Sequence, residues 1–316
     1  MEHPLLRFAV FELTILLPLV AGYVWRRRMA PGPDLARRVF WISLIGFETP
    51  IYMALGWGMK FQPGHLKLPL IGLVISVAGL LALYMLGRRW GYDRPSLGTL
   101  AATGALSNQG YFLGGYLCFL LAGETGLALS VVFILYWNVT VYGLLFPIAR
   151  WASGESEHLS FAPVSAVWQL VTDLRAIPLP GFLLGLLLNR LDVARPEAVA
   201  VYLQAAPPLS ILVVLFGVGL SIEASELRAH GRMVWAASAT KFILMPSIAV
   251  AMAFGMGLEE NDLLVVVIES ACPAAIFSVV ISTLFNLNPR LAAALLVWTT
   301  AIFLVAVCPV LVLVFG

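Results

Sequence analysis

The chain is 316 residues long, 61% hydrophobic and only 11% charged, with a formal net charge of +2 and a mean hydropathy of +0.94. So apolar a composition excludes a soluble domain and reads as an integral membrane protein whose solvent is the lipid bilayer. The small charge sits on residues flanking apolar runs, which gives no basis for nucleic-acid binding. Cys118, Cys272 and Cys308 each lie inside an apolar run without metal-ligand spacing, so no disulfide framework, metal site or cofactor is expected.

A membrane-crossing helix needs ~20 apolar residues at ~1.5 Å rise each. By that rule the sequence predicts ten spans, at 7–25, 39–58, 68–87, 97–121, 126–149, 176–191, 199–222, 233–255, 263–285 and 291–315. No basic region precedes the first run, which continues to Arg26-Arg27-Arg28, so it reads as a span and not as a cleaved leader. The sixth span is short and opens on Pro178 and Pro180. Between the fifth and sixth, the 151–175 segment carries Glu155, Glu157 and His158, followed by a stretch (164–174) that suits an amphipathic helix at the interface. It divides the chain into a first unit, 1–150, and a second, 176–316. Of the 19 Lys and Arg residues, thirteen fall in loops after odd-numbered spans and five on the opposite side. The positive-inside rule then places the odd loops and the 151–175 segment in the cytoplasm, with both termini outside it, in the cell (inner) membrane.

Five spans precede the connecting segment and five follow, and an odd number per half requires the halves to be inverted relative to each other. Internal echoes support the split: Trp137 with Pro147 in span 5 answers Trp298 with Pro309 in span 10, and Pro50 answers Pro208, at a shift of about 160 residues. The fold class expected is therefore all-α, ten transmembrane helices in two inverted five-helix repeats.

Two spans carry interruptions at corresponding places. Span 4 holds Ser107, Asn108, Gln109 and Gly110 at its middle. Glycine costs ~1 kcal/mol against alanine in a helix, and Ser and Asn side chains compete for backbone hydrogen bonds, so the helix is expected to break there with Asn108 capping the half that follows. Span 9 is interrupted by Cys272, Pro273 and Ala274, with Pro273 placed to open a new half-helix. Broken spans at matching positions of two halves point to a transporter's binding site. The half-helix N-termini suit a carboxylate and the freed carbonyls suit a cation, so this geometry leaves the sign of the ion open.

Ionisable groups inside spans are costly and are functional candidates by default. There are four: Glu12, Glu48, Lys241 and Glu269. Glu12 lies near the start of span 1, where interfacial solvation accounts for it. Glu48 and Glu269 are candidates to hold a proton, to bind Na⁺ beside Asn108 and Gln109, or to pair with Lys241. Lys241 reads equally as half of a structural ion pair or as a substrate contact. Enzymatic readings lack support, since the four histidines lie in loops or termini and no metalloprotease, nucleophile-elbow or phosphate-loop motif is present.

With G-A-L-S-N-Q-G-Y-F-L-G-G-Y-L in span 4, A-P-P-L and L-F-G-V-G-L-S in span 7, K-F-I-L-M-P in span 8, A-C-P-A-A in span 9 and A-A-A-L-L-V-W-T-T in span 10, nearly the whole chain resembles the auxin efflux carrier family. The resemblance implies two inverted repeats whose fourth and ninth helices cross at their breaks, and secondary transport of small organic anions. Asn108, Gly110 and Pro273 match the crossover and Lys241 the basic residue of helix 8. The chain departs from the family at Gly114-Gly115, where proline is frequent, and it lacks the large cytoplasmic loop of plant auxin carriers, so a bacterial-type carrier is expected. Elevator-like alternating access would move spans 3–5 and 8–10 against spans 1, 2, 6 and 7. The alternatives are a Na⁺-coupled bile-acid-type symporter and a membrane sensor that binds a ligand without moving it. Substrate identity, H⁺ or Na⁺ coupling, and monomer or homodimer all stay open.

Overall fold

A computed structural model describes residues 4–29, 34–159, 176–221, 231–258 and 260–316. The proposed interfacial helix at 164–174 lies outside the described residues, as do Arg175 and Arg228 of the charge count. In chain order the α-helices are α1 (Pro4–Met29), α2 (Asp34–Ser43), α3 (Thr49–Gly58), α4 (Lys67–Arg89), α5 (Arg94–Ala105), α6 (Leu113–Phe133), α7 (Tyr136–Asn138) and α8 (Phe146–Ser153). The second half holds α9 (Pro178–Arg190), α10 (Glu197–Ser221), α11 (Gly231–Ala239), α12 (Met245–Gly255), α13 (Glu260–Ser270), α14 (Ile276–Leu284), α15 (Pro289–Ile302) and α16 (Cys308–Phe315). Six helical stretches among the described residues are long and apolar enough to cross a membrane: Arg38–Gly58, Pro63–Arg89, Leu113–Ser153, Glu197–Leu220, Gly231–Gly255 and Pro289–Phe315. The chain is thus an all-helical, multi-pass membrane protein.

Four of these stretches contain a widened π-helical turn, at Leu44–Glu48, Val139–Leu145, Thr240–Leu244 and Phe303–Val307. Each is followed at the second residue of the next helix by a proline: Pro50, Pro147, Pro246 and Pro309. Proline has no N–H to offer the carbonyl one turn back and its ring crowds that carbonyl; an extra residue in the turn relieves both. In apolar surroundings the freed carbonyls still need donors. At the first turn Thr49 Oγ1 donates to Leu44 O at 2.8 Å. Spans 4 and 5 meet inside α6 at Gly123, whose non-helical φ of +62° and ψ of −149° divide it into two helical parts and are open to glycine at little cost.

Helix pairs meet where glycines remove the side-chain layer, as is usual between membrane helices. At the α1–α10 contact, a Cβ on Gly22 would stand 2.2 Å from Phe216 O and one on Gly219 2.3 Å from Leu19 O. At the α3–α9 contact, a Cβ on Gly185 would stand 2.0 Å from Met53 O. Two packing groups result. One joins α1 and α2 to α10, and α3 to α9; the other joins α4, α5, α8, α11–α15 and the start of α6. They meet chiefly through α6 and α1, and through Arg195, which makes a two-pronged ion pair with Glu124 beside the Gly123 kink.

Candidate functional site

Helix α5 starts at an Asp93 cap, whose carboxylate accepts from Ser96 N at 3.2 Å, and stops at Ala105. Helix α13 stops at Ser270. The chain beyond each is extended, and the two extended pieces pair antiparallel at Ser107 and Ala274. Asn108 N donates to Pro273 O at 2.8 Å and Ala275 N donates to Leu106 O at 3.2 Å. Pro273 has no N–H of its own, so it ends α13 while its carbonyl serves the pairing. Gly110 then turns the chain into α6 at φ +74°, a left-handed conformation that other residues adopt only at a cost. Both spans break where the sequence predicts, and the breaks cross.

A helix end deprived of its neighbours exposes partial charge. At the carbonyl end of α5, Lys241 donates to Gly104 O (2.8 Å), Leu106 O (3.0 Å) and Ser107 Oγ (2.9 Å). All three ammonium protons are committed and the side chain is fully buried. The ion-pair reading of Lys241 does not hold among the described residues, because its partners are two carbonyls and a hydroxyl. Ser76 Oγ serves Ala105 O at 2.9 Å.

At the amide end of α6, Glu269 Oε2 accepts from Gly110 N at 2.9 Å and lies over the first turn, 2.7 Å from where a Cβ on Gly114 would stand. Of the Gly114-Gly115 pair that departs from the family pattern, Gly114 makes room for this carboxyl and for Cys272 Sγ, and Gly115 for Gly110 O and Ser130 Oγ. Gln109 bridges the same region, its Nε2 donating to Glu269 O at 2.6 Å and its Oε1 accepting from Tyr136 OH at 2.5 Å. Glu269 Oε1 is buried without a partner among the described residues.

The second break is served differently. Cys272 Sγ donates to Ile268 O at 3.4 Å, Ala274 N donates to Thr299 Oγ1 at 3.1 Å, and no side chain caps α14, whose Ile276 and Phe277 N–H groups find no acceptor among the described residues. Asn108 is only 5% exposed, yet its carboxamide has no hydrogen-bond partner among the described residues. Glu48, at the end of a π turn, faces the hydroxyl of Tyr111, the residue after Gly110, which also lies 3.4 Å from Ser43 Oγ. The structure therefore gathers Ser107, Asn108, Gln109, Gly110, Lys241, Glu269, Cys272, Pro273 and Ala274 at one place and leaves Glu48 beside it. Sequence reasoning missed Ser76, Tyr111, Tyr136 and Thr299 as parts of this site. Tyr136 and Thr299 stand in the stretches that echo between halves, which was the one signal available.

Against known proteins, the family described as membrane transport protein, that of the auxin efflux carriers, matches residues 65–311. The chain belongs to that family. An uncharacterized transporter of Methanocaldococcus jannaschii is 30% identical over 253 residues, 77% of each chain. The family and this relative are transporters, not enzymes. The membrane transport family match contains both breaks, Lys241 and Glu269, whereas Glu12 and Glu48 precede it.

Proposed function

We propose that this membrane transport protein is a secondary transporter of small organic anions, with the carboxylate held at the crossing by Asn108 and the free N-terminus of α14. The observation that carries the reading is the coincidence at one buried place of an unpartnered carboxamide and an uncapped positive helix end. Ser107, Gln109, Gly110, Cys272, Pro273, Ala274 and Lys241 hold the crossing in shape around the anion; Glu269 and Glu48 are the groups available to a coupling H⁺ or Na⁺.

The architecture we propose is two inverted five-helix repeats, 1–150 and 176–316, joined by a cytoplasmic 151–175 segment, in the inner membrane with both termini outside the cytoplasm. Its support is the exchange of partners that inversion requires: α1 packs on α10 while α9 packs on α3, that is, span 1 on span 7 and span 6 on span 2. The two packing groups support elevator motion, in which the crossing travels with spans 3–5 and 8–10 against spans 1, 2, 6 and 7. A Na⁺-coupled bile-acid-type symporter is the second reading, favoured by the unpartnered Glu269 Oε1.

Counterflow of radiolabelled carboxylates in proteoliposomes tests the proposal. Wild type accumulates label, and Asn108→Ala loses most of it with an unchanged unfolding midpoint. Binding without counterflow by any carboxylate would instead make the protein a sensor, and counterflow that requires Na⁺ and vanishes in Glu269→Gln would make it the symporter.

A further inference from the structure

Several oxygens at the end of α5 have partners close by. Ala102 O takes Leu106 N at 3.0 Å, Ala105 O takes Ser76 Oγ at 2.9 Å, and one lone pair of Leu106 O takes Ala275 N at 3.2 Å. None of these meets Gly104 O, the other lone pair of Leu106 O, or Ser107 Oγ. Those three oxygens converge on one fully buried point, which Lys241 Nζ occupies at 2.8, 3.0 and 2.9 Å. Two main-chain carbonyls and a hydroxyl at the negative end of a helix form a hard, neutral oxygen shell, the donor set by which broken membrane helices hold monovalent cations. Nothing in that shell is specific to lysine; any compact monovalent cation meets the same oxygens. A carboxylate, which would favour a divalent ion, is not among its ligands.

We infer that the end of α5 is a monovalent-cation site of the crossing whose resident ion is the Lys241 ammonium, tethered from the π turn Thr240–Leu244. The chain carries its own cation there, so the crossing needs no Na⁺ at this position to stay folded. This deepens the transport reading: if the crossing moves, a fixed positive charge moves with it.

The test uses purified protein in detergent and reads thermal unfolding in choline, sodium, potassium and methylammonium chloride at equal ionic strength. Wild type should have one midpoint in all four salts. Lys241→Met should unfold at a lower temperature in choline and recover several degrees, saturably, in methylammonium or sodium. A wild-type midpoint that rises in sodium over choline overturns the inference, because the resident ion would then be exchangeable or the Na⁺ site elsewhere. So does a Lys241→Met midpoint that no salt raises, the result expected of a simple structural pin. Should Lys241→Met not fold in choline, it and Lys241→Gln are purified in methylammonium; failure of both there also overturns it, since rescue by a small cation is what the inference requires. The readout does not depend on transport. Salt rescue without counterflow leaves the cation site standing and removes the transport reading, and counterflow without salt rescue does the reverse.

Discussion

Gly110→Ala tests whether the turn into α6 is as constrained as its geometry implies. Gly110 has φ +74°, and a Cβ there would stand 2.7 Å from Ile134 Cδ1. Gly91, in the surface turn after α4, has φ +75° and nothing within 4 Å of its Cβ position, so it provides the control. The left-handed conformation costs an alanine ~1–2 kcal/mol at either place. Only at position 110 must Ile134 also leave its rotamer, at ~0.5–1.5 kcal/mol. Relaxing the backbone instead would withdraw Gly110 N–H from Glu269, a loss of ~1.5–3 kcal/mol if the carboxyl is ionised. The cheaper route sets the excess of Gly110→Ala over Gly91→Ala at about 1 kcal/mol, or ~2–4 °C in midpoint by the scaling for mid-sized domains. The buried free thiols of Cys118, Cys272 and Cys308 allow the unfolding to be followed with a thiol-reactive fluorogenic dye. Adding Ile134→Ala to Gly110→Ala should recover the rotamer cost, measured against Ile134→Ala alone. Equal destabilisation at positions 91 and 110 would refute the claim that the crossing surrounds Gly110 tightly.

Tyr136→Phe strands Gln109 Oε1 without its donor and is expected to cost ~1–3 kcal/mol in the same dye assay, although the ring itself is retained. Neutralising the Arg195–Glu124 pair with Glu124→Gln should change stability by less than ~1 kcal/mol, because its partners are 23% and 36% exposed, yet under elevator motion it should alter the counterflow rate by releasing a tie between the two packing groups; an unchanged rate would sink that role. On a cysteine-free background, single cysteines at His65 and His158 should label from outside and not from outside, respectively, with an impermeant reagent in intact cells; the opposite pattern would reverse the orientation.

The breaks were legible in the sequence because their cause is local. Gly110 and Pro273 impose their backbone geometry whatever surrounds them, and the apolar lengths on either side mark helices. The prolines of the four π turns were equally visible, although the widening of the turn before each was not, since it answers a steric conflict that residue type does not record. Partner choice was the part that could not be read. Glu269 and Gly110 are 159 residues apart and Lys241 and Gly104 137 apart, so nothing in either neighbourhood reveals the other. The sequence reads Lys241 either as half of an ion pair, the usual remedy for a buried lysine, or as a substrate contact. Helix-end carbonyls provide the same remedy, and they appear only once α5 is known to stop within reach of Lys241 on the π turn Thr240–Leu244.

The sign of the ion, which the sequence left open, depends on which helix ends remain unanswered. The negative end of α5 faces Lys241, and the positive end of α6 faces Glu269. Both ends of the first broken span are thus met by ionisable groups supplied from the second half. The ends of the other broken span meet only neutral groups: the Gln109 amide donates to Glu269 O near the end of α13, and the Thr299 hydroxyl accepts from Ala274 N ahead of α14. A cation arriving at the crossing would find Gly104 O and Leu106 O already taken by an ammonium, and Glu269 Oε1 without a partner among the described residues. Among the described residues, an anion would find the N–H groups of Ile276 and Phe277 without acceptors, and Asn108 joined to Pro273 through its backbone with no partner on its carboxamide. A carboxylate there would answer the amide end of α14 without displacing a hydrogen bond that the protein already makes.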